Sequence, residues 1–170
     1  MINKWNSIMK ELKITSYKPG AIGRITELHA VYYSKHSGFG VFFESKVATE
    51  MAEFLTRLNS SKDGFWTANI KDEIIGSIAI DSIKLESNGM HLRWFIVDPK
   101  YHGHGVGTLL LKTALDFCRK VHSYRICLWT FSGLSAARHL YEKFGFTLVH
   151  EQEGSTWGAQ VKEQLFELIL

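Results

Sequence analysis

Apolar residues in the first third of the chain repeat with the spacing of one strand and two helices. Residues 12–17 alternate apolar with polar side chains, which predicts a short strand. Pro19 and Gly20 interrupt this pattern, and apolar side chains then recur every three or four positions over 20–35 and again over 43–59. A stripe of this kind predicts an amphipathic helix that packs one face against a core.

The middle of the chain carries the two-residue period of β-strands. Two apolar segments, 65–70 and 74–80, are separated by three polar residues, which predicts a hairpin. A third strand is predicted over 90–97, where Trp94 begins a run of four apolar residues. Such a run is typical of a strand that is buried on both faces.

Helices and strands alternate in the last part of the chain. A glycine-rich stretch over 102–107 leads into a predicted helix over 105–121, whose apolar positions form one stripe. The remaining elements are predicted as strands over 125–131, 146–150 and 164–170 and a helix over 134–143. The complete order, β-α-α-β-β-β-α-β-α-β-β, predicts an α/β fold (an α+β sandwich) in which about four helices flank a mixed, seven-stranded sheet.

The composition is that of an ordinary globular protein. The 170 residues, of which 45% are hydrophobic and 22% charged, predict a single domain over 1–170. A net charge of +3 gives no indication of nucleic acid, and no apolar run approaches the ~20 residues of a membrane span. Charged residues within 1–18 argue against a secretory signal. Cys118 and Cys127 lie in apolar surroundings without a CxxC spacing, so we expect two buried thiols in the reducing cytoplasm.

The glycines near residue 105 indicate a phosphate-binding loop. Gly103, Gly105 and Gly107 alternate between a buried strand and the start of a helix. Glycine permits backbone angles that turn successive N–H groups inward, and the helix adds its positive N-terminal end. Phosphate oxygens bind at such a place. The stretch lacks the Lys of a Walker A loop, and Thr108 stands where a dinucleotide fingerprint has its third glycine. Both departures argue against ATP and NAD, which are kept as the alternative ligands.

Two motifs in this part of the chain resemble those of the GNAT superfamily of N-acetyltransferases. Residues 102–107 read His-Gly-His-Gly-Val-Gly, which is similar to the superfamily's acyl-CoA pyrophosphate signature, Gln/Arg-x-x-Gly-x-Gly/Ala. Residues 137–146 are similar to a second common element, A-x-x-L-Y-E-x-x-G-F. The predicted element order is also that of the GNAT fold, whose sheet is mostly antiparallel. The resemblance covers about residues 12–170.

Other segments resemble one branch of the superfamily, which is often fused behind a MarR-type winged-helix regulator. These segments are 92–99, 128–130, 157–158 and 163–164. The chain has no room for the regulator, so the resemblance implies the free-standing form. Two residues depart from the superfamily's pattern. His102 stands where Gln or Arg is usual, and Leu134 stands where many members have an Asn that contacts pantetheine.

The resemblance implies that acetyl-CoA is the cosubstrate and that one strand and one loop hold it. Backbone amides of residues 102–108 would bind the pyrophosphate, and the pantetheine arm would pair with residues 95–97. Tyr141 would protonate the departing sulfur. The residues that the resemblance assigns to acetyl-CoA are Phe95, Ile96, Val97, His102, Gly103, His104, Gly105, Val106, Gly107, Thr108, Leu134, Ala137 and Tyr141.

The general base is not identified by these motifs. Many members of the superfamily use a Glu, or a water chain, from the strand that corresponds to 90–97, and this chain has no Glu there. His91 and Glu44 are candidates for the base or for acceptor binding. A solvated histidine at a strand end and an ordinary first-turn carboxylate explain them as well. Aromatic residues in and between the first two helices are expected to pack the core, with an acceptor pocket between these helices as the alternative. They are Tyr32, Tyr33, Phe39, Phe42 and Phe43.

Strand alternation predicts the surroundings of Arg93. It puts Arg93 on one face with His91 and Phe95, and Trp94 on the opposite face. A charge among apolar neighbours needs a partner. Arg93 therefore either forms a structural ion pair, for which Glu163 is the expected partner, or binds a carboxylate of the acceptor.

These expectations describe an acyltransferase. It would transfer an acetyl group from acetyl-CoA to a primary amine by direct attack in a ternary complex, with a small-molecule or peptide amine as the acceptor. A non-catalytic acyl-CoA-binding sensor on the same fold is the alternative. No metal is expected, because His102 and His104 lack the further ligands of a metal site. The resemblance leaves a homodimer open.

Overall fold

Residues 9–82 and 89–170, which the computed structural model describes, include four α-helices and seven strands in the predicted order, together with a short 3₁₀ helix at Pro99–Tyr101. The predictions made for residues 1–8, part of the segment examined for a secretory signal, lie outside this described part. The helices are α1 (Ala21–Ser37), α2 (Val41–Arg57), α3 (Val106–Lys120) and α4 (Ser135–Lys143). The strands are β1 (Leu12–Thr15), β2 (Gly64–Ile70), β3 (Glu73–Asp81), β4 (Met90–Val97), β5 (Arg125–Phe131), β6 (Thr147–Gly154) and β7 (Val161–Ile169).

The strands of the described residues form one mixed sheet in the order β1-β2-β3-β4-β5-β7-β6. The β4–β5 pair is parallel and the other five pairs are antiparallel, which confirms the predicted fold class. Helices α1 and α2 cover one face, where Ile25 and Phe54 belong to one apolar core. Helices α3 and α4 cover the other face, where Leu110 and Tyr141 belong to a second core. Cys118 and Cys127 are buried free thiols, as predicted.

The β6–β7 hairpin is longer than the sequence predicted. Strand β6 continues past His150 to Gly154, and β7 begins at Val161 rather than at residue 164. The side chains of β6 are almost all exposed, and the strand lies at the edge of the sheet. A strand without a buried face has no apolar alternation, so its period is invisible in the sequence.

A β-bulge at Trp94 changes which face of the sheet the residues of β4 occupy. Ser77 pairs with Ile96 and Ala79 with Arg93, so two residues of β4 oppose one of β3. Trp94 has a positive φ of 45°, and its carbonyl oxygen accepts a hydrogen bond from Ser77 Oγ at 2.6 Å. Arg93 and Trp94 consequently both face helix α2. The simple alternation that put them on opposite faces was wrong.

Strands β4 and β5 diverge soon after they meet. In the described part of the chain their parallel pairing covers Met90 with Ile126 and His91 with Cys127. Beyond His91 the two strands separate, although β4 continues to Val97 and β5 to Phe131. The bulge turns β4 just beyond this paired segment, because an extra residue bends and twists its strand. The result is an open-ended gap in the middle of the sheet.

Candidate active site

A cavity of about 410 Å³ occupies the gap between the diverging strands. Segments from α1, α2, β4, β5, α4 and the β6–β7 hairpin contribute to its lining. Four residues that the sequence analysis proposed are brought together there. They are His91, Arg93, Phe95 and Tyr141.

The glycine-rich loop precedes helix α3 with a backbone that only glycine adopts easily. Gly103 and Gly105 have φ angles of 77° and 82°. A Cβ on either residue would meet nothing within 4 Å, so the angle and not the space requires glycine. The first hydrogen bond of α3 runs from Leu109 N to the Gly105 carbonyl oxygen at 3.0 Å. The N–H groups of residues 106–108 precede that bond and are available to an anion.

Gly107 serves a different purpose from the two glycines before it. A Cβ at this position would lie 3.4 Å from Phe95 Cζ and 3.4 Å from Leu140 Cδ2. The first turn of α3 therefore lies close to both β4 and α4. This contact places the helix N-terminus beside the strand edge that borders the gap.

His102 ties the loop to the end of β4. Its exposed imidazole donates a hydrogen bond from Nε2 to the Val97 carbonyl oxygen at 2.8 Å. Asp98, which is buried, accepts a hydrogen bond from Lys100 N at 3.0 Å and pairs with Arg24 at 3.1 Å. The loop thus starts from a fixed position. His104 lies in the same exposed stretch.

Tyr141 projects from α4 to the cavity and is 6% exposed. Its ring centroid is 6.1 Å from that of Phe95. Burial raises the pKa of its hydroxyl well above the ordinary value, and the nearby Tyr33 adds to the effect. In the described part of the chain this hydroxyl has no hydrogen-bond partner. Tyr141 is therefore protonated at neutral pH and free to donate its proton into the cavity.

The other residues assigned to acetyl-CoA lie close by but away from the cavity surface. Ile96 is buried under α1 and α2, whereas Val97 packs against the core on the α3 side. Leu134 is half-buried just before α4 and packs against the α1–α2 core. Ala137 packs against the opposite core. Leu134 contributes no polar side-chain contact of the kind that Asn makes in many superfamily members.

Arg93 forms the predicted structural ion pair, but not with the predicted partner. It pairs with Glu50 of α2 and with Asp81 of β3, the latter at 3.2 Å. Its guanidinium carbon lies 4.1 Å from the centroid of the Trp94 ring. Glu163 was the wrong partner because the bulge turns Arg93 toward α2, whereas Glu163 lies on β7, beyond β5.

The two candidates for the general base lie in different places. His91 is half-buried and lines the cavity. Glu44 is exposed in the first turn of α2 and is not part of the cavity lining. The structure therefore keeps His91 near the proposed chemistry and places Glu44 outside it.

The sequence analysis missed several cavity residues. His29 is buried and donates from Nδ1 to the Ile25 carbonyl oxygen at 2.9 Å. Burial lowers the pKa of this imidazole to about 4, so it is neutral. The signal was its place on the apolar stripe of α1, four residues after Ile25. Lys46 also lines the cavity and belongs to no recognisable motif, and Glu163, which was expected only as an ion-pair partner of Arg93, lines it as well. Of the aromatic residues considered, Tyr33 and Phe43 do line it.

Residues 9–82 and 89–170 contain neither a candidate membrane-spanning helix nor a candidate cluster of metal ligands. No helix there is sufficiently long and apolar to cross a bilayer. No three His, Cys, Asp or Glu side chains there are grouped as metal ligands.

Comparisons with known proteins agree with the fold and the motifs. The family model described as the acetyltransferase (GNAT) family matches residues 24–146. N-acetylaspartate synthetase from Danio rerio is 26% identical over 140 residues, which are 82% of this chain and 49% of that protein. N-acetyltransferase 8B from Homo sapiens is 23% identical over 139 residues, which are 79% of this chain and 61% of that protein. The chain spans about half the length of the curated relatives it matches.

Solved structures show the same fold. A GNAT-family acetyltransferase from Staphylococcus aureus Mu50 has a TM-score of 0.73 at 20% identity, covering 94% of this chain and 99% of that one. A protein from Salmonella typhimurium, solved with its cofactor acetyl-CoA, has a TM-score of 0.71 at 17% identity, covering 94% of each chain. Because the family model spans more than half of the sequence, this chain belongs to the acetyltransferase (GNAT) family.

Proposed function

We propose that this protein transfers an acetyl group from acetyl-CoA to a primary amine within a ternary complex. One observation carries the proposal. The edge of β4 and the protonated Tyr141 line a single cavity, and the N-terminus of α3 lies beside it, where Gly107 approaches the ring of Phe95 from that lining. A thioester acetyl donor needs these three features, which bind its arm, bind its phosphates and protonate its leaving sulfur.

The residues present fit acetyl-CoA. The N–H groups of residues 106–108 suit the pyrophosphate, because the helix N-terminus is positive and nothing lies within 4 Å of the place that a Cβ on Gly103 or Gly105 would take. The edge of β4 beyond His91 has no partner on β5 in the described residues, so an extended pantetheine arm can pair with it as a strand does. The acetyl-CoA in the Salmonella typhimurium relative supports this choice over NAD or ATP.

The proposed reaction balances when each proton is followed. An acceptor that binds as an ammonium first loses one proton to a base, which frees the nitrogen lone pair. The amine nitrogen then attacks the thioester carbonyl carbon, a C–N bond forms and the C–S bond breaks. Tyr141 gives its proton to the leaving sulfur and regains one from solvent. The nitrogen loses its second proton to the base, which passes both protons to solvent. Of the two cavity histidines, His29 with a pKa of about 4 is a weak base, so His91 is the proposed acceptor of that proton.

Thermal unfolding in the presence of acetyl-CoA, CoA, NAD or ATP tests which of these ligands the protein binds. At about 100 times its Kd, a specific ligand stabilises the fold by about 2.7 kcal/mol, which shifts Tm by several degrees. Release of the CoA thiol with a panel of primary amines tests the reaction. The panel includes L-aspartate, because one relative is named N-acetylaspartate synthetase.

The outcomes separate the candidate functions. A shift with acetyl-CoA together with amine-dependent release of thiol supports the transferase. A shift with CoA but no release with any amine favours the acyl-CoA sensor. A shift confined to NAD or ATP contradicts the assignment of the loop.

A further inference from the structure

The wall of the cavity formed by β7 holds a buried carboxylate that the proposed reaction does not use. Glu163 is 3% exposed and lines the cavity. It lies directly opposite Phe131 in the β5–β7 register, so both side chains are on the sheet face that carries α1 and α2. The carboxylate of Glu163 therefore faces any ligand that occupies the cavity between β4 and β5.

The carboxylate of Glu163 is held in position by neutral groups. Thr156 N donates to Oε1 at 2.8 Å, and Gln152 Nε2 donates to Oε2 at 3.3 Å. Any side chain at Gly154 would collide with the carboxyl group, because a Cβ built there overlaps it. These contacts place the two oxygens and leave about half of their acceptor capacity unused.

Glu163 differs from the other carboxylate of the cavity in having no cation. Glu50 pairs with Lys46 at 2.5 Å and with Arg93. In the described part of the chain, Glu163 forms no ion pair. Burial by itself would raise the pKa of Glu163, but the hydrogen bonds from Thr156 and Gln152 hold it below the ordinary value. A buried negative charge without a counter-charge favours a cationic ligand.

The surface beside this carboxylate is aromatic. Phe131, opposite Glu163, has its ring centroid 5.4 Å from that of Trp157 and 5.6 Å from that of Tyr33. Trp157 follows Thr156 directly in the connection between β6 and β7. This connection lies against α2, because Gly158 packs against Phe42. When the cationic group of a ligand reaches Glu163, the ligand atoms next to that group therefore lie against the rings of Phe131 and Trp157.

We propose that Glu163 receives the ammonium group of the acceptor and that the acceptor's adjoining carbon atoms pack against Phe131 and Trp157. This inference rests on the proposed function and names its substrate class, a primary amine on an apolar or aromatic body. An α-amino acid fits poorly, because its own carboxylate would be held within a few bonds of Glu163 and two like charges repel.

Three ligands of similar shape test the proposal on the CoA complex of the full chain. They are 2-phenylethylammonium, the neutral 2-phenylethanol and the zwitterion phenylalanine, with Kd measured by isothermal titration. We expect the wild-type protein to bind the ammonium at least about tenfold more tightly than either of the others, since only the ammonium donates a charged hydrogen bond to Glu163 without bringing a carboxylate of its own.

Variants attribute this preference to one carboxylate. Glu163→Gln keeps an oxygen for Thr156 N–H and is expected to lose the tenfold preference. Gly154→Ala keeps the charge but displaces the carboxyl group, and it should lose the preference as well. Glu153→Gln makes the same charge change on the adjacent strand at an exposed position and should retain it. A carboxylate that only supports the hairpin would leave all four proteins with the same preference.

Either of two results overturns the proposal. One is a wild-type protein that binds the ammonium no more tightly than the alcohol, and the other is a folded Glu163→Gln variant that keeps the preference. If that variant does not fold, the three ligands on the wild-type protein decide. Absence of any stabilisation by acetyl-CoA or CoA is a different result, which refutes the proposed function itself.

Discussion

Replacing Tyr141 by Phe removes one oxygen atom from the proposed site and leaves its packing in place. The ring lies between Phe95, Phe146 and Phe166, at centroid distances of 6.1, 5.9 and 6.0 Å. In the described residues the hydroxyl bonds to no protein group, so no hydrogen bond is lost. We expect the free energy of unfolding to change by less than about 1 kcal/mol.

The effect of Tyr141→Phe on kcat should be much larger than its effect on the free energy of unfolding. Donation of a proton by a positioned side chain contributes about 10²–10⁴-fold, or about 3–5 kcal/mol of activation free energy. Because burial raises the pKa of Tyr141 above the ordinary value of 10.0, the wild-type hydroxyl stays protonated across the neutral range. The variant is therefore expected to lower kcat by at least about 100-fold, while the Kd of acetyl-CoA stays within about twofold.

The assay follows the release of CoA thiol at saturating acetyl-CoA and amine, with Kd measured separately by titration. Tyr124→Phe is a matched control, because Tyr124 is 49% exposed and lies outside the cavity lining. The reasoning is refuted if Tyr141→Phe and Tyr124→Phe have the same kcat. It is also refuted if the loss appears entirely as weaker binding of acetyl-CoA.

Three further predictions concern the loop, the ion pairs and a buried histidine. Gly105→Ala forces alanine to φ near 82°, which should lower the free energy of unfolding in urea by about 1–2 kcal/mol. The same variant should show a smaller Tm shift with CoA, and an unchanged shift would contradict the role of the loop. Asp81→Asn leaves Arg57 and Arg93 facing a neutral amide in place of a fully buried carboxylate. We therefore expect the free energy of unfolding to fall by about 3 kcal/mol or more, and a fall of less than about 1 kcal/mol would count against the ion pairs. Below pH 6.5 the unfolded chain binds a proton on His29 that the folded chain, with its pKa of about 4, does not bind. Stability should therefore fall by about 3 kcal/mol as the pH drops from 6.5 to 4, and His29→Gln should show a smaller fall.

The order of helices and strands was predictable wherever an element buries one face. Helix α3 is the clearest example, since its buried residues Val106, Leu110, Ala114 and Cys118 recur at helical spacing. Strand β6 is the opposite case, because its faces are exposed and its residues carry no period. Hydrophobic periodicity therefore indicates burial, and it reveals a helix or strand only where one face of that element is buried.

The bulge in β4 was not predictable from the strand's own residues. Trp94 is a bulky residue with a positive φ, which local preference disfavours. The contacts that hold it come from distant parts of the chain. They are the Ser77 Oγ bond to its carbonyl, the Phe54 ring 5.2 Å away and the ion pairs of Arg93. A tertiary arrangement of this kind overrides the two-residue period, and with it the expected partner of Arg93.

The two halves of the candidate site differ in how they depend on sequence. The proposed acetyl-CoA half would use backbone N–H groups, left-handed glycines and one strand edge, all within residues 95–108, so a local motif identifies it. The proposed acceptor half brings together His29, Glu50, Phe131 and Glu163, which lie on four different elements. Since these side chains meet only through the sheet order and the bulge, no short motif can describe them. A chain can therefore keep the first half while its acceptor changes, and Glu163 with its aromatic neighbours is where we expect this protein's own acceptor preference to be determined.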